Sequence, residues 1–330
     1  MSPPAGPRLG FLGLGWIGRR RLRGLVEAGA CRAVALADPS PAALAEARAI
    51  APEARPCASM EELLTEALDG LVIATPSGQH ADQALAALSR GVPVFCQKPL
   101  ARTGAETREV IEAARNRDRL LAVDFSYRPA LAFERVIAAV REERLGRVYS
   151  VDLVFHNAYG PDKGWSKDRT LAGGGCLIDL GVHLLDMAML ALGAPRVSKV
   201  HAALFASGEP LRTLGEIEDF AQASFETETG ANVRIACSWW LHAGQDAIIE
   251  AIFRGTQGAA TVHNVNGSFF DFVAELSRGT SREVLASPPD DWEARAVKAW
   301  AGRLARSNTF DPSVESAAVV AELIDRIYAA

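Results

Sequence analysis

The stretch Gly10-Phe11-Leu12-Gly13-Leu14-Gly15-Trp16-Ile17-Gly18 closes a short apolar run with a Gly-x-Gly-x-x-Gly turn, and Asp38 follows Gly18 by twenty residues at the end of a second apolar run. Arg8-Leu9-Gly10-Phe11-Leu12 reads as a buried parallel strand, and Ile17, Leu22, Leu25, Val26 and Ala28 recur after it at helical spacing. Between a strand and a helix, Gly13 permits the tight turn, Gly15 lets backbone approach a pyrophosphate, and Gly18 lets the helix pack on the strand. The phosphates would then rest on the helix N-terminal amides. Three glycines alone describe only a turn. The flanking strand and helix, with a carboxylate at the right distance to hold a ribose, make it a dinucleotide site. An acid at position 38 favours NAD and disfavours NADP, whose 2'-phosphate it would repel. Pro39 and Ser40 place no arginine beside it.

Outward from this turn, short apolar runs alternate with amphipathic stretches as far as residue 124. The pattern predicts strands at 8–13, 33–37, 70–74, 92–96 and 120–124. Helices are predicted at 15–28, 41–50, 60–67, 79–90 and 104–117, with Ser77 and Thr103 as N-caps and Gly91 as a C-cap. This is a doubly wound parallel α/β sheet. Beyond it the rhythm changes to a helix at 129–142, a strand at 147–156, a Gly/Pro/Asp loop and a helix at 176–192. Strands follow at 197–205, 217–226, 231–241, 246–254 and 258–263, then helices at 291–306 and 313–329. Val233, Ile235, Cys237 and Trp239 alternate with more polar neighbours, as a sheet with one covered face requires. The expected division is a nucleotide domain at 1–125 and a substrate and oligomerisation domain at 126–330, with helix 313–329 packing back on the first.

A chain of 330 residues exceeds the size at which one core keeps growing, which agrees with two domains. The net charge of -5 supplies no attraction for nucleic acid or an anionic membrane, so a small molecule is the expected partner. Five scattered cysteines, none in a Cys-x-x-Cys pair, argue against a disulfide framework and a thiolate zinc site, and for a reducing cytoplasm. Residues 1–7 lack a secretory pattern and read as a lead-in. The most apolar helix, 176–192, carries Asp179, His183 and Asp186, which are costly in hydrocarbon.

Two places carry candidate chemistry. Val92-Pro93-Val94-Phe95-Cys96-Gln97-Lys98-Pro99 puts Lys98 at a strand's carboxyl end, where open α/β sheets hold ligands and where an ammonium can steady charge developing on a substrate oxygen. In the run 173–186, Asp179, His183 and Asp186 fall at i, i+4 and i+7, on one face of a helix. Such a set is either satisfied by buried hydrogen bonds, or binds a metal, or moves protons. Histidine is the usual acceptor of an alcohol proton, and no further metal-ligand motif accompanies the three, so no metal is expected.

With these residues in place the chain resembles the Gfo/Idh/MocA family (glucose-fructose oxidoreductase, inositol dehydrogenase and rhizopine catabolism) over nearly its whole length. The likeness rests on the nucleotide turn, Ala74-Thr75-Pro76 with His80, Lys98-Pro99 and Tyr127-Arg128. It continues through Trp165, the Gly-Gly-Gly-x-x-x-Asp-x-x-x-His-x-x-Asp segment and the turn Gly255-Thr256-Gln257-Gly258. It implies a Rossmann domain followed by an α+β domain whose large open sheet, mixed and mainly antiparallel, makes a homodimer or homotetramer. It implies Lys98, Asp179 and His183 as the catalytic group, and a Lys98-Pro99 bond that is often cis. The cofactor set is Gly13, Gly15, Trp16, Ile17, Gly18, Asp38, Thr75, Pro76, His80, Gln97, Lys98 and Arg128. Substrate contacts are expected from Lys98, Asn157, Trp165, Asp179, His183 and His242.

The implied activity is hydride transfer between NAD and a secondary alcohol or ketone of a sugar, sugar derivative or cyclitol. The alternatives are a redox-assisted NAD-dependent glycosidase and a non-catalytic NAD-binding regulator. One departure stands out. The family pattern usually has Glu before Lys-Pro, and here Gln97 can hydrogen-bond a ribose or the lysine but cannot balance an ammonium as a carboxylate does.

Overall fold

The computed structural model describes residues 6–213 and 215–330; most of the lead-in at 1–7 therefore lies outside the described residues. Two compact units emerge, one of Met1–Ser126 with Ala294–Ala317, the other of Tyr127–Glu293 with Ala318–Ala330.

The first unit is a six-stranded sheet of β1 (Arg8–Leu12), β2 (Arg32–Ala37), β3 (Arg55–Cys57), β4 (Gly70–Ile73), β5 (Val94–Gln97) and β6 (Leu121–Asp124). Its order is β3-β2-β1-β4-β5-β6 with every pairing parallel. The order reverses between β1 and β4, so their carboxyl ends open a crevice there. The crossovers are α1 (Trp16–Glu27), α2 (Pro41–Ile50), α3 (Met60–Leu63), α4 (His80–Ser89) and α5 (Gly104–Asn116). Leu9, Phe11, Leu36 and Phe95 bury completely or nearly so, as strands covered on both faces require, and Leu22 and Leu25 of α1 pack into the same core.

β3 was not foreseen. It is three residues long with Pro56 at its centre, which cannot donate to a ladder and so suits an edge. Ser77 does not cap α4: residues Ser77–Gln79 form a 3-10 turn and α4 starts from Gln79 without a side-chain cap. Thr103 caps α5 by accepting from Glu106 N, and Gly91 ends α4 at φ +76.

The second unit opens with α6 (Leu131–Arg141) and β7 (Val148–Asn157), followed by α7 (Arg169–Ala172), a π-helical turn Leu177–Gly181 and α8 (Val182–Leu192). Then come β8 (Val197–Ala206), β9 (Glu209–Pro210), β10 (Phe220–Thr227), β11 (Asn232–Ser238), β12 (Ala247–Gly255), β13 (Ala259–Asn264), β14 (Phe272–Arg278) and β15 (Ser281–Ala286). They form one nine-stranded sheet, β15-β14-β13-β12-β7-β11-β10-β8-β9, in which only β7 and β11 run parallel. Val151, Leu153 and Phe155 of β7 lie beside Val233, Ile235 and Cys237 of β11, all buried on the face against which α6 and α8 pack. Asp152 and Arg234 alternate onto the other face.

The sequence reading missed β9, β14 and β15. Phe272, Ala274 and Leu276 do alternate with half-buried neighbours in β14, whereas β15 (Ser-Arg-Glu-Val-Leu-Ala) is an edge strand with too few apolar positions to show a period. The last two helices divide between the units. In α9 (Arg295–Leu304), Val297, Trp300, Ala301 and Leu304 complete the first unit's core. Most of α10 (Ser316–Tyr328) belongs with the second unit. Among the described residues one helical stretch, Arg169–Leu192, is long and apolar enough to cross a membrane, and 78% of its apolar window is buried inside the protein.

Candidate active site

In the first unit the candidate residues gather at the carboxyl ends of the strands. Gly13 has φ +84, and a Cβ there would fall 2.5 Å from the Ala74 carbonyl carbon and 2.6 Å from the Thr75 amide nitrogen, so the turn after β1 lies directly on the turn after β4. A Cβ on Gly18 would fall 2.0 Å from the Gly13 carbonyl oxygen. Both positions therefore require glycine. Gly15 is the N-cap of α1 and has no side chain to satisfy the first-turn amides, whereas Ser40 and Ser59 cap α2 and α3.

Asp38, at the end of β2, accepts from Leu14 N at 2.6 Å through Oδ2 and from Ser40 N at 2.8 Å through Oδ1. A carboxylate has about four acceptor sites, so each oxygen keeps capacity for a ribose hydroxyl. The uncapped amides, the glycine cradle and this carboxylate fit a dinucleotide: Gly13, Gly15 and Gly18 would admit the pyrophosphate and Asp38 the adenosine ribose. Trp16 is half-exposed beneath the Arg20 guanidinium, 4.7 Å from its ring centre.

His80 joins two of these loops. Its Nδ1 lies 2.7 Å from Pro99 O and its Nε2 2.8 Å from Thr75 O. Carbonyls only accept, so the ring satisfies both only as imidazolium; burial, and to a lesser degree the Lys98 ammonium, push its pKa below that of free histidine. The Lys98-Pro99 bond is cis. Gln97 is buried and donates through Nε2 to Asp124 Oδ2, which Arg21 Nε also meets at 2.5 Å. Arg21 and Asp124 are almost wholly excluded from solvent, and Asp124 Oδ1 is buried with no hydrogen-bond partner. This Arg21-Asp124-Gln97 group ties α1, which begins at the nucleotide turn, to the strand end bearing Lys98. Sequence reasoning missed Arg21 and Asp124, although Asp124 ends β6 as Gln97 ends β5.

In the second unit, Asp179 lies in the π-helical turn and not on a regular α-helical face. Along residues 177–189 every side chain is buried except Asp179 and His183, which are half-buried. Trp239, which the sequence left between the sheet core and the substrate pocket, is buried and donates through Nε1 to Asp179 Oδ2 at 3.2 Å. Tyr127 meets the His183 ring edge to face at 4.9 Å and also packs on Phe133, Phe155, Phe272 and Trp292. Burial, then the Asp179 charge, holds the Tyr127 phenol well above its ordinary pKa. Tyr127 therefore packs against His183 as an uncharged phenol.

Asp186, third of the spaced set, is taken up by a bidentate pair with Arg128. Asn157, at the end of β7, has a buried Oδ1 with no hydrogen-bond partner. Trp165 sits half-buried in the 3-10 turn Gly164–Lys167, and His242 is exposed beyond β11. Cys176 and Cys237 lie Sγ to Sγ at 3.9 Å, and burial raises the Cys176 thiol far above the reactive range. Among the described residues no three His, Cys, Asp or Glu side chains converge as a metal site.

A trough of about 610 Å³ lies on the open face of the nine-stranded sheet, lined by Asp152, His201, Gln222, Arg234, Glu250 and Arg254 among others. It contains none of the candidate catalytic residues.

Residues 8–125 match the oxidoreductase family with an NAD-binding Rossmann fold, and residues 133–261 match the GFO/IDH/MocA C-terminal domain. The chain is 27% identical over 277 residues to D-glucoside 3-dehydrogenase of Escherichia coli, covering 81% of this chain and 78% of that protein. It is 31% identical over 327 residues to D-xylose 1-dehydrogenase (NADP(+)) 2 of Haloferax volcanii, covering 97% and 95%. Among solved structures, a 3-ketoreductase from Actinomadura kijaniata in complex with NADP superposes with a TM-score of 0.85 at 21% identity, covering 98% of this chain and 97% of that one. A Rossmann sheet with its nucleotide turn, the second sheet behind the Asp179 and His183 helix, and identity to these relatives along almost the full length lead to one conclusion: this chain belongs to the Gfo/Idh/MocA family of NAD(P)-dependent oxidoreductases.

Proposed function

We propose that the protein is an NAD-dependent oxidoreductase that moves a hydride between nicotinamide and a secondary alcohol or ketone of a sugar, sugar derivative or cyclitol. The observation that carries this reading is that Asp179 and His183 stay partly exposed on a stretch whose other side chains are buried. Ionisable groups that keep some access to solvent on an otherwise buried stretch can meet a polar ligand. The nicotinamide, when bound, supplies the hydride chemistry. His183 accepts the hydroxyl proton in oxidation and returns it in reduction. Lys98 donates to the substrate oxygen and steadies its developing charge. Asp179, held by Trp239, orients its neighbours, and Asn157 Oδ1 accepts from a substrate hydroxyl. Trp165 and His242 are assigned to the substrate pocket.

NAD is favoured over NADP by Asp38, whose carboxylate a 2'-phosphate would meet directly. Arg19, which reaches Leu14 O at 2.7 Å, is already paired with Glu46 at 2.9 Å. The domain division follows the two sheets, with nucleotide binding in 1–125. The open face of the nine-stranded sheet is the surface assigned to self-association as a dimer or tetramer. Reduced, unpaired cysteines suit a cytoplasmic enzyme.

The test is a panel of free sugars, glycosides, cyclitols and nucleotide sugars, each with NAD and with NADP, followed by the absorbance of reduced nicotinamide. At least one polyol should turn over, and His183→Ala should lower that turnover by roughly two to four orders of magnitude. Silence across the panel, or near-normal turnover by His183→Ala, refutes the assignment.

A further inference from the structure

Glu218 stands just before β10 and is wholly buried. Its Oε1 accepts three hydrogen bonds, from Gly175 N at 2.9 Å, Leu177 N at 3.0 Å and the Tyr328 hydroxyl at 2.8 Å. Its Oε2 has no hydrogen-bond partner and lies 3.9 Å from Arg169 Nη1, whose guanidinium stacks over the Tyr328 ring at 4.4 Å. The backbone takes part as well: Glu218 O accepts from Cys176 N at 3.0 Å, and Asp219 O accepts from Trp239 N at 2.7 Å.

The glycines of this turn are what allow the approach. A Cβ on Gly175 would fall 1.9 Å from Glu218 O, and one on Gly174 would fall 2.0 Å from the Tyr328 hydroxyl. Gly175 O in turn accepts from Asp179 N at 3.1 Å, so one hydrogen-bonded turn separates the Glu218 carboxylate from Asp179. Trp239, whose backbone is held by Asp219, donates its indole N–H to Asp179 from the other side. Glu218 and Asp219 therefore hold two of the groups that bond to Asp179, one at its backbone and one at its carboxylate.

Two backbone N–H groups could be satisfied by a neutral acceptor at far lower desolvation cost than a buried carboxylate with one oxygen unsatisfied. A charged, triply bonded oxygen holds its donors more tightly and directionally than a neutral one. We infer that Glu218 and Tyr328 are positioning residues, which clamp the glycine turn at 173–175 and so aim Asp179 and, one turn further on, His183. The inference rests on the catalytic reading of Asp179 and His183.

The experiment has a substrate-free arm and a kinetic arm. In the first, protein labelled with 15N-tryptophan is compared as parent, Tyr328→Phe and Glu218→Gln, with the Trp239 indole signal assigned by its loss in Trp239→Phe. Both variants should move that signal and speed its hydrogen exchange by about tenfold or more, while the Trp300 signal stays in place. In the second, the polyol that turns over fastest in the panel is used. Tyr328→Phe should lower kcat about tenfold or more, as a displacement well under 1 Å suffices to do, with KM for NAD unchanged. In an Asp179→Asn background the same change should have no further effect.

A Trp239 signal identical in parent and both variants overturns the clamp. So do kcat values within twofold of the parent, or equal losses with and without Asp179. A normal kcat for Asp179→Asn alone refutes the catalytic reading, and the clamp's purpose with it, through a separate variant. If no polyol turns over, the proposed function fails while the indole signal still decides whether Glu218 and Tyr328 hold Asp179.

Discussion

Exchanging Gln97 and Asp124 tests whether the buried group behind Lys98 acts as a unit. Gln97 Nε2 and Arg21 Nε both donate to Asp124 Oδ2, in a place closed to solvent. Gln97→Glu replaces a donor by a second carboxylate against the first, and two carboxylates in one site force one of them to stay protonated. Displacing a carboxyl pKa by two units or so amounts to about 3 kcal/mol. Asp124→Asn removes the charge that Arg21 meets, and loss of one partner of a buried pair costs about 3–5 kcal/mol. The double variant restores one carboxylate, one amide and one guanidinium, with the carboxylate moved to position 97. It should be more stable than the sum of the single losses by at least about 2 kcal/mol. Native-state hydrogen exchange of the β5 and β6 amides is the assay, because it reports the opening of the first unit alone. Strict additivity, or a neutral Gln97→Glu, would show that the three side chains do not act together.

Two further outcomes follow from single side chains. Asp38→Ala should weaken NADH about tenfold or more, the value of a hydrogen bond to a charged group, and narrow the preference over NADPH; fluorescence titration with both cofactors measures this, and an unchanged ratio contradicts the role. Burial raises the Glu218 pKa above the ordinary carboxyl value despite the Tyr328 and backbone hydrogen bonds. The folded state thus binds that proton more tightly than the unfolded one. The resulting stabilisation is complete below the unfolded pKa and lost as pH rises through the folded pKa. Glu218→Gln should therefore gain stability relative to the parent as pH rises from the acid range to neutrality. A pH-independent difference in the unfolding midpoint would contradict it.

The first unit was legible almost strand by strand because parallel strands buried on both faces appear as apolar runs between helical periods. What escaped there was β3, whose Pro56 breaks the strand signature, and the Arg21-Asp124-Gln97 group, which joins residues up to 103 apart in sequence. The resemblance led to a carboxylate expected at position 97; the fold places one at 124, donated to by the glutamine. In the second unit, spacing put Asp179, His183 and Asp186 on one helix face. The π-helical turn and the Arg128 pair separate Asp186 from the other two, and periodicity shows neither. Glu218 fell inside the predicted strand 217–226, where it looked like one more charge. Its partners Gly175, Leu177 and Tyr328 are brought to it only by tertiary structure.

The central claim is direct hydride transfer from a carbinol carbon, and isotope transfer tests it most directly. A polyol that turns over in the panel, deuterated at the oxidised carbon, is incubated with NAD and the enzyme, and the reduced cofactor is analysed by mass spectrometry. The account predicts one deuterium on the nicotinamide per turnover and a slower rate than with the unlabelled substrate. Reduced nicotinamide without deuterium, or label released to water, would contradict it.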